Sequence, residues 1–243
     1  GLVGSEMCIR DRAYTDKNKL RVVYGDYTLG VHGEGFDYIF SYSQGGIESI
    51  VKKGYEWLYR CPKPTFWRAL TDNDRGSRFH IKSGSWLASD MFIDCKKTEV
   101  IMDGERQKQY APDNNIYGGD VAAGEIIVKY TYETVSNPVT TVIVSYTIDA
   151  IGNIKVDVDY TGVKGLPELP VFGMRFIMPT LADKYMYKGL SGETYPDRKA
   201  GAEKGVYEVS DLRLTPYLVP QECGMRMDTC LLYTSPSPRD LST

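Results

Sequence analysis

Residues 125–160 read E-I-I-V-K-Y-T-Y-E-T-V-S-N-P-V-T-T-V-I-V-S-Y-T-I-D-A-I-G-N-I-K-V-D-V-D-Y. Val128, Tyr130 and Tyr132 alternate with Lys129, Thr131 and Glu133. Val142, Val144, Tyr146 and Ile148 alternate with Ile143, Ser145 and Thr147, and Ile154, Val156, Val158 and Tyr160 with Lys155, Asp157 and Asp159. Successive side chains of a strand point to opposite faces, so a period of two gathers one set on a single face. Ser136-Asn137-Pro138 and Ile151-Gly152-Asn153 separate the three runs with turn-forming residues. The pattern predicts an antiparallel meander with one buried face and one more polar face.

Upstream, a strand is expected around Arg21–Val31, then a turn at Gly33-Glu34-Gly35. Phe36–Ser43 and Ile47–Leu58 flank Gln44-Gly45-Gly46, which reads as a hairpin. Cys61–Thr65 carries two prolines and is expected to end that pairing. Phe66–Gly76 reads as a loop. Trp86, Leu87, Met91 and Phe92 predict a short helix over Ser83–Asp94. Residues 103–124 read as a long surface loop, and Pro167–Pro179 as a further buried strand, Val171–Met178. Many short antiparallel strands with one dominant face point to stacked sheets. Pattern alone does not choose among sandwich types.

The chain has 243 residues, a formal net charge of −3 and 42% hydrophobic residues, enough for a sizeable core. Near-neutral charge argues against nucleic acid or an anionic membrane as the main partner. No apolar run approaches the roughly 18 residues of a membrane span. The 19 Tyr and 24 Gly, with many Val, Ile and Thr, favour strands with frequent turns.

The two ends follow neither period. Cys-Ile-Arg-Asp-Arg at 8–12 back-translates to TGTATAAGAGACAG plus one purine. The reverse complement of that DNA, read from its second base, gives the Cys-Leu-Leu-Tyr-Thr of 230–234. One element in opposite orientations therefore accounts for both ends, and it resembles a transposase adapter. Residues 1–12 and 230–243 are expected to be foreign, 13–20 a linker, and 21–229 a domain cut at both sides. Of five cysteines, Cys61, Cys95 and Cys223 remain. They are widely spaced and lack any CxxC, so neither a disulfide framework nor a zinc site is indicated. This leans towards a reducing, cytoplasmic compartment, with a periplasmic one left open because a leader would lie before the cut.

Charged and Gly-rich clusters concentrate in 187–228. Glu193, Tyr195, Asp197 and Arg198 follow Gly189 and Gly192, with Pro196 holding Tyr195 towards extended geometry. Pro220, Gln221, Glu222, Gly224, Arg226 and Asp228 form a second cluster. Such groups either brace a loop by charge-assisted hydrogen bonds or bind a polyol such as a sugar.

G-L-S-G-E-T-Y-P-D-R-K-A-G at 189–201, T-P-Y-L-V-P-Q-E-C-G-M-R at 215–226 and F-W-R-A-L-T-D-N-D-R-G at 66–76 together resemble the C-terminal domain of large bacterial β-galactosidases of glycoside hydrolase family 2. Thr194 and Cys223 stand where that family usually has Asn. The resemblance implies an all-β, antiparallel super-sandwich of the galactose mutarotase-like kind, truncated at its C-terminal side. It also implies that the catalytic glutamates sit on an upstream (β/α)₈ barrel, so this segment carries no catalytic residue. Glu193, Tyr195, Asp197 and Arg198 would then approach the mouth of that barrel as a substrate-proximal loop. No cofactor is implied within the segment; the parent family commonly uses Mg and Na elsewhere. The implied partners are the barrel, a galactoside such as lactose, and further copies in a homo-oligomer. A non-catalytic small subunit or a free carbohydrate-binding module is the rival reading. An aldose epimerase of the same fold would need paired histidines with a glutamate, and this chain has only scattered His32 and His80.

Asp72 and Asp74 are the nearest carboxylate pair, yet their setting suits Asx-turns and pairing with Arg68 or Arg75 better than glycoside chemistry. The same stretch lacks the downstream Glu of a calcium loop. Trp57, Trp67 and Trp86, with the tyrosines, offer either a sugar-stacking platform or core packing.

Overall fold

A computed structural model describes residues 19–108, 121–180, 184–195, 199–210, 224–229 and, for the backbone, 231–235. The chain divides into two compact units, each built almost wholly of antiparallel strands and turns.

The first unit joins the chain up to Pro62 with Asp94–Glu133 and Thr141–Thr161. Its six-stranded sheet runs β5-β4-β3-β2-β1-β9, from β1 (Leu20–Tyr24), β2 (Thr28–Gly33), β3 (Phe36–Ser41), β4 (Gly46–Lys52), β5 (Tyr55–Glu56) and β9 (Val121–Ala123). Its five-stranded sheet runs β12-β11-β10-β7-β8, from β7 (Asp94–Met102), β8 (Glu105–Gln107), β10 (Glu125–Glu133), β11 (Thr141–Asp149) and β12 (Ile154–Thr161). The expected antiparallel meander forms, with Val128 opposite Tyr146 and Tyr146 opposite Val156. Val128, Tyr130, Tyr132, Val142, Val144, Tyr146 and Ile148 are buried, as the alternation requires.

Against them lie Leu20, Val22, Leu29, Val31, Phe36, Tyr38, Phe40 and Ile47 of the other sheet. Phe40 meets Tyr146 edge-on at 5.7 Å. This is a two-layer sandwich. Three of its buried phenols are satisfied across the layer: Tyr130 Oη donates to the Gly46 carbonyl at 3.2 Å, Tyr132 Oη to Gly45 at 2.5 Å and Tyr38 Oη to Gly152 at 2.6 Å. The Gly45-Gly46 turn joining β3 and β4 sits at φ of +64° and +143°. A β-carbon at Gly45 would strike Cys95, and one at Gly46 would strike Cys61. Only glycine fits that junction.

Three strand boundaries differ from the sequence reading. Arg21–Val31 is a hairpin rather than one strand, because Gly25 N–H bonds back to the Thr28 carbonyl at 2.8 Å. Ile47–Leu58 breaks at Lys53-Gly54, both with positive φ. The loop expected over 103–124 is bounded by β8 and β9, with residues 109–120 outside the described set. There the Asp103 carboxylate accepts the amides of Gly124 and Glu125.

The second unit takes Lys63–Ile93, Thr134–Thr140 and the chain from Gly162 on. β6 (Arg60–Thr65) enters it and pairs with β13 (Gly173–Ile177). Pro62 and Pro64 therefore lie within a strand instead of ending the pairing, which an open sheet edge allows. β13 is shorter than the expected Val171–Met178 and is not buried: Phe176 is 45% exposed. The other sheet places β14 (Lys184–Leu190) between β15 (Lys204–Val209) and β16 (Leu231–Ser235). The 231–235 backbone, which shows no strand period in sequence, completes β14's edge through main-chain bonds that need no side-chain alternation.

Phe66–Gly76 is not all loop: it ends in helix α1 (Asp72–Ser77). The helix expected over Ser83–Asp94 is replaced by α2 (Phe79–Lys82), a 3-10 turn at Gly84–Trp86 and further turns. Arg78 and Ala88, at φ of 57° and 62°, interrupt any longer helix. Trp86 alone of the four apolar residues is buried; Leu87, Met91 and Phe92 are exposed.

Candidate functional site

Thr71 caps α1: its Oγ1 accepts the Asp74 amide at 3.2 Å while Asp74 Oδ2 accepts the Thr71 amide at 2.9 Å. This reciprocal box follows from the Thr-x-x-Asp spacing. Arg68 donates to both Asp74 oxygens, at 2.5 and 3.2 Å, and its Nε donates to the Pro170 carbonyl at 3.2 Å. The Arg68 guanidinium, with the Thr71 bonds, holds the Asp74 carboxyl down to about 2. Asp74 stays an anion at neutral pH with its lone pairs engaged, the opposite of a general acid. Asp72 is exposed and pairs with Arg75 at 2.8 Å. The pair therefore braces a loop, through a helix cap rather than the Asx-turns the sequence suggested.

The 187–195 stretch and the 224–229 stretch, separate clusters in sequence, meet. Leu190 N–H donates to the Met227 carbonyl at 3.1 Å, and Thr194 N–H to the Met225 carbonyl at 3.0 Å. Met227 N–H donates in turn to Thr194 Oγ1 at 2.9 Å. Gly189 permits the approach, since a β-carbon there would lie 2.9–3.1 Å from Thr229 and Met227 atoms. Thr194 thus supplies both a backbone donor and a side-chain acceptor to the contact.

Arg226 enters this clasp from the second cluster. Its guanidinium lies 5.7 Å from the centre of the Tyr187 ring and 3.9 Å from Glu193 Oε1. Both charged side chains are 15% exposed. Tyr187 is buried, donates to the Leu190 carbonyl at 2.9 Å and packs against Tyr207 at 5.6 Å. Tyr195 is also buried. Asp197, Arg198, Pro220, Gln221 and Glu222 lie outside the described residues. Of the four expected loop residues, the structure thus describes Glu193 and Tyr195.

Sequence reasoning did not single out Thr194 as a clasp or Tyr187 as the platform under Arg226. The Thr71-x-x-Asp74 spacing is a capping signal legible in the sequence itself. Trp86 stacks on Phe66 at 5.4 Å within the second unit's core. His32 Nδ1 lies 2.6 Å from Asp37 Oδ1 across β2 and β3, and His80 lies on α2. Among the described residues no group of three or more His, Cys, Asp or Glu is placed to hold a metal ion. No described helix is long and apolar enough to cross a membrane.

The strand order and the internally paired carboxylates define an all-β domain with a braced polar clasp. The family model of the beta galactosidase small chain matches residues 32–236, and the chain belongs to that family. A beta-galactosidase small subunit of Latilactobacillus sakei is 58% identical over 89% of this chain and 68% of its own length. Beta-galactosidases of Clostridium acetobutylicum and Streptococcus thermophilus are 36% and 31% identical, over 80% and 88% of this chain. The chain spans only about a fifth of those two relatives, 20% and 19%. It corresponds to the C-terminal small-chain region of a β-galactosidase.

Proposed function

We propose that this chain is the non-catalytic accessory part of a β-galactosidase that removes terminal non-reducing β-D-galactose from β-D-galactosides such as lactose, with retention. The observation that carries this reading is its 58% identity to a protein named as a small subunit. Retaining hydrolysis uses two carboxyl groups about 5–5.5 Å apart, one of them a protonated acid. In this reading both come from the barrel of a large catalytic chain. The engagement of Asp74 with Arg68 and Thr71 supports it, because that carboxylate is committed to structure. The test is an assay with a chromogenic β-galactoside. The isolated chain should give no turnover, and adding a large chain should restore it. Turnover by the purified chain alone would overturn the reading.

Within that assembly, the loop carrying Glu193, Tyr195, Asp197 and Arg198 braces the mouth of the sugar site. The loose Arg226–Glu193 pair supports this, being set at 3.9 Å rather than in a tight bidentate fork. Alanine at Glu193 in the assembled enzyme should lower kcat/KM while the unfolding midpoint holds. Unchanged kcat and KM remove the idea.

A further inference from the structure

The connection from Phe79 to Phe92 holds four large apolar side chains in solvent: Ile81, Leu87, Met91 and Phe92 are 67, 60, 75 and 65% exposed. Its inner side is firmly fixed. Trp86 is fully buried and its Nε1 donates to the Pro167 carbonyl at 3.1 Å. Ser83 Oγ donates to the Glu168 carbonyl at 2.8 Å, and Ser89 Oγ to Ser85 at 3.0 Å. The amides of Met91 and Phe92 both donate to the Ala88 carbonyl, and Ala88 itself is held at φ 62°. A left-handed backbone is unfavourable for a non-glycine residue, so this turn is imposed by its surroundings. The outer side chains are thus presented from a rigid base, which lowers the entropic cost of a contact. Met and Phe are enriched at interface cores. Arg78 and Lys82, exposed at the edge of this segment, carry no ion pair among the described residues.

We infer that this face docks on the large catalytic chain, against an apolar hollow rimmed by carboxylates; the inference rests on the function proposed above. The relatives supply the reason for one occupant. The same region is a fifth of a single chain in the Clostridium acetobutylicum protein but lies in a separate small subunit in Latilactobacillus sakei. Where no peptide link joins the parts, surface contact alone must hold them, over about 1,200–2,000 Å² in a stable interface. Exposed Ile, Leu, Met and Phe supply its apolar centre, and the exposed Arg78 and Lys82 its orientation.

The test mixes this chain with the catalytic chain that partners the Latilactobacillus sakei small subunit and measures Kd. Met91→Ser with Phe92→Ser should weaken binding about tenfold or more. Arg78→Glu with Lys82→Glu should slow association and flatten its salt dependence. Ile151→Ser, an equally exposed apolar site in the other unit, should leave Kd unchanged. If the serine variant proves unfolded, the charge-reversal pair decides. Wild-type Kd in folded variants overturns the inference and leaves the proposed function standing. No complex from the wild-type chain overturns both. If the chain alone self-associates and the serine variant becomes a monomer, the face belongs to a second copy and the inference falls.

Discussion

Arg68 grips Asp74 through both carboxylate oxygens, at 2.5 and 3.2 Å, with the two side chains only 20% and 12% exposed. The contact converts a run of charges that reads as chemistry into a strut. Asp74→Asn removes the anion but leaves Arg68 half-enclosed, and should destabilise by about 2–4 kcal/mol, read as a lower urea midpoint at unchanged m. The acid limb gives the sign. The folded carboxyl lies at about 2, below its ordinary 3.8, so the stabilisation is present above pH 4 and lost as pH falls towards 2. The gap between wild type and Asp74→Asn should therefore close over that window.

Thr194 makes a narrower prediction. Its Oγ1 accepts the Met227 amide, so Thr194→Val strands a part-buried N–H and should cost about 1 kcal/mol. Hydrogen exchange should speed up locally, at the Met227 and Leu190 amides, before it does in β10 or β11. Thr194→Asn should retain most of the protection, because an amide oxygen can accept the same proton.

The strands of β10 and β11 were legible because their side chains obey one rule, period two with one buried face, whereas in β12, at the sheet edge, Ile154, Val156, Val158 and Tyr160 are only half-buried. The failures share a cause as well. Leu87, Met91 and Phe92 carry apolar side chains that do not go inward with Trp86, so periodicity predicts a helix where Arg78 and Ala88 break it. Pro62 and Pro64 mislead because their effect depends on whether the strand has a neighbour on both sides. Glu193, Tyr195 and Arg226 were singled out by composition and spacing. The acceptor that ties their loop, Thr194, was visible only once the two segments were in contact, since a threonine in a charged run gives no signal of its own.

Gly45 and Gly46 separate two effects that sequence cannot. Alanine at either meets both an unfavourable φ and the side chain of Cys95 or Cys61. Gly35 has a similar φ of 74° but open space around it. Gly35→Ala should cost about 1 kcal/mol, whereas Gly45→Ala and Gly46→Ala should cost about 2–4 kcal/mol or prevent folding. Equal thermal shifts for all three would show that backbone strain alone matters at this turn.

Tyr38 predicts the alkaline limb. Burial, with the Asp149 charge second, pushes its phenol up from 10.0 to about 12. The neutral form is favoured in the fold, so its contribution is full below pH 10 and is lost as pH rises towards 12. One such group lowers stability by about 1.4 kcal/mol per pH unit across that window. Tyr38→Phe should flatten the decline by that slope. At pH 7 its cost should be small, about 1 kcal/mol, because Lys52 Nζ also donates to the Gly152 carbonyl, at 3.3 Å, and keeps that acceptor engaged. Denaturant titrations at pH 7, 10 and 11 distinguish the outcomes. An unchanged alkaline slope in the variant would mean that Tyr38 does not titrate late in the native protein, and that the Tyr38 to Gly152 bond is weaker than its 2.6 Å length implies.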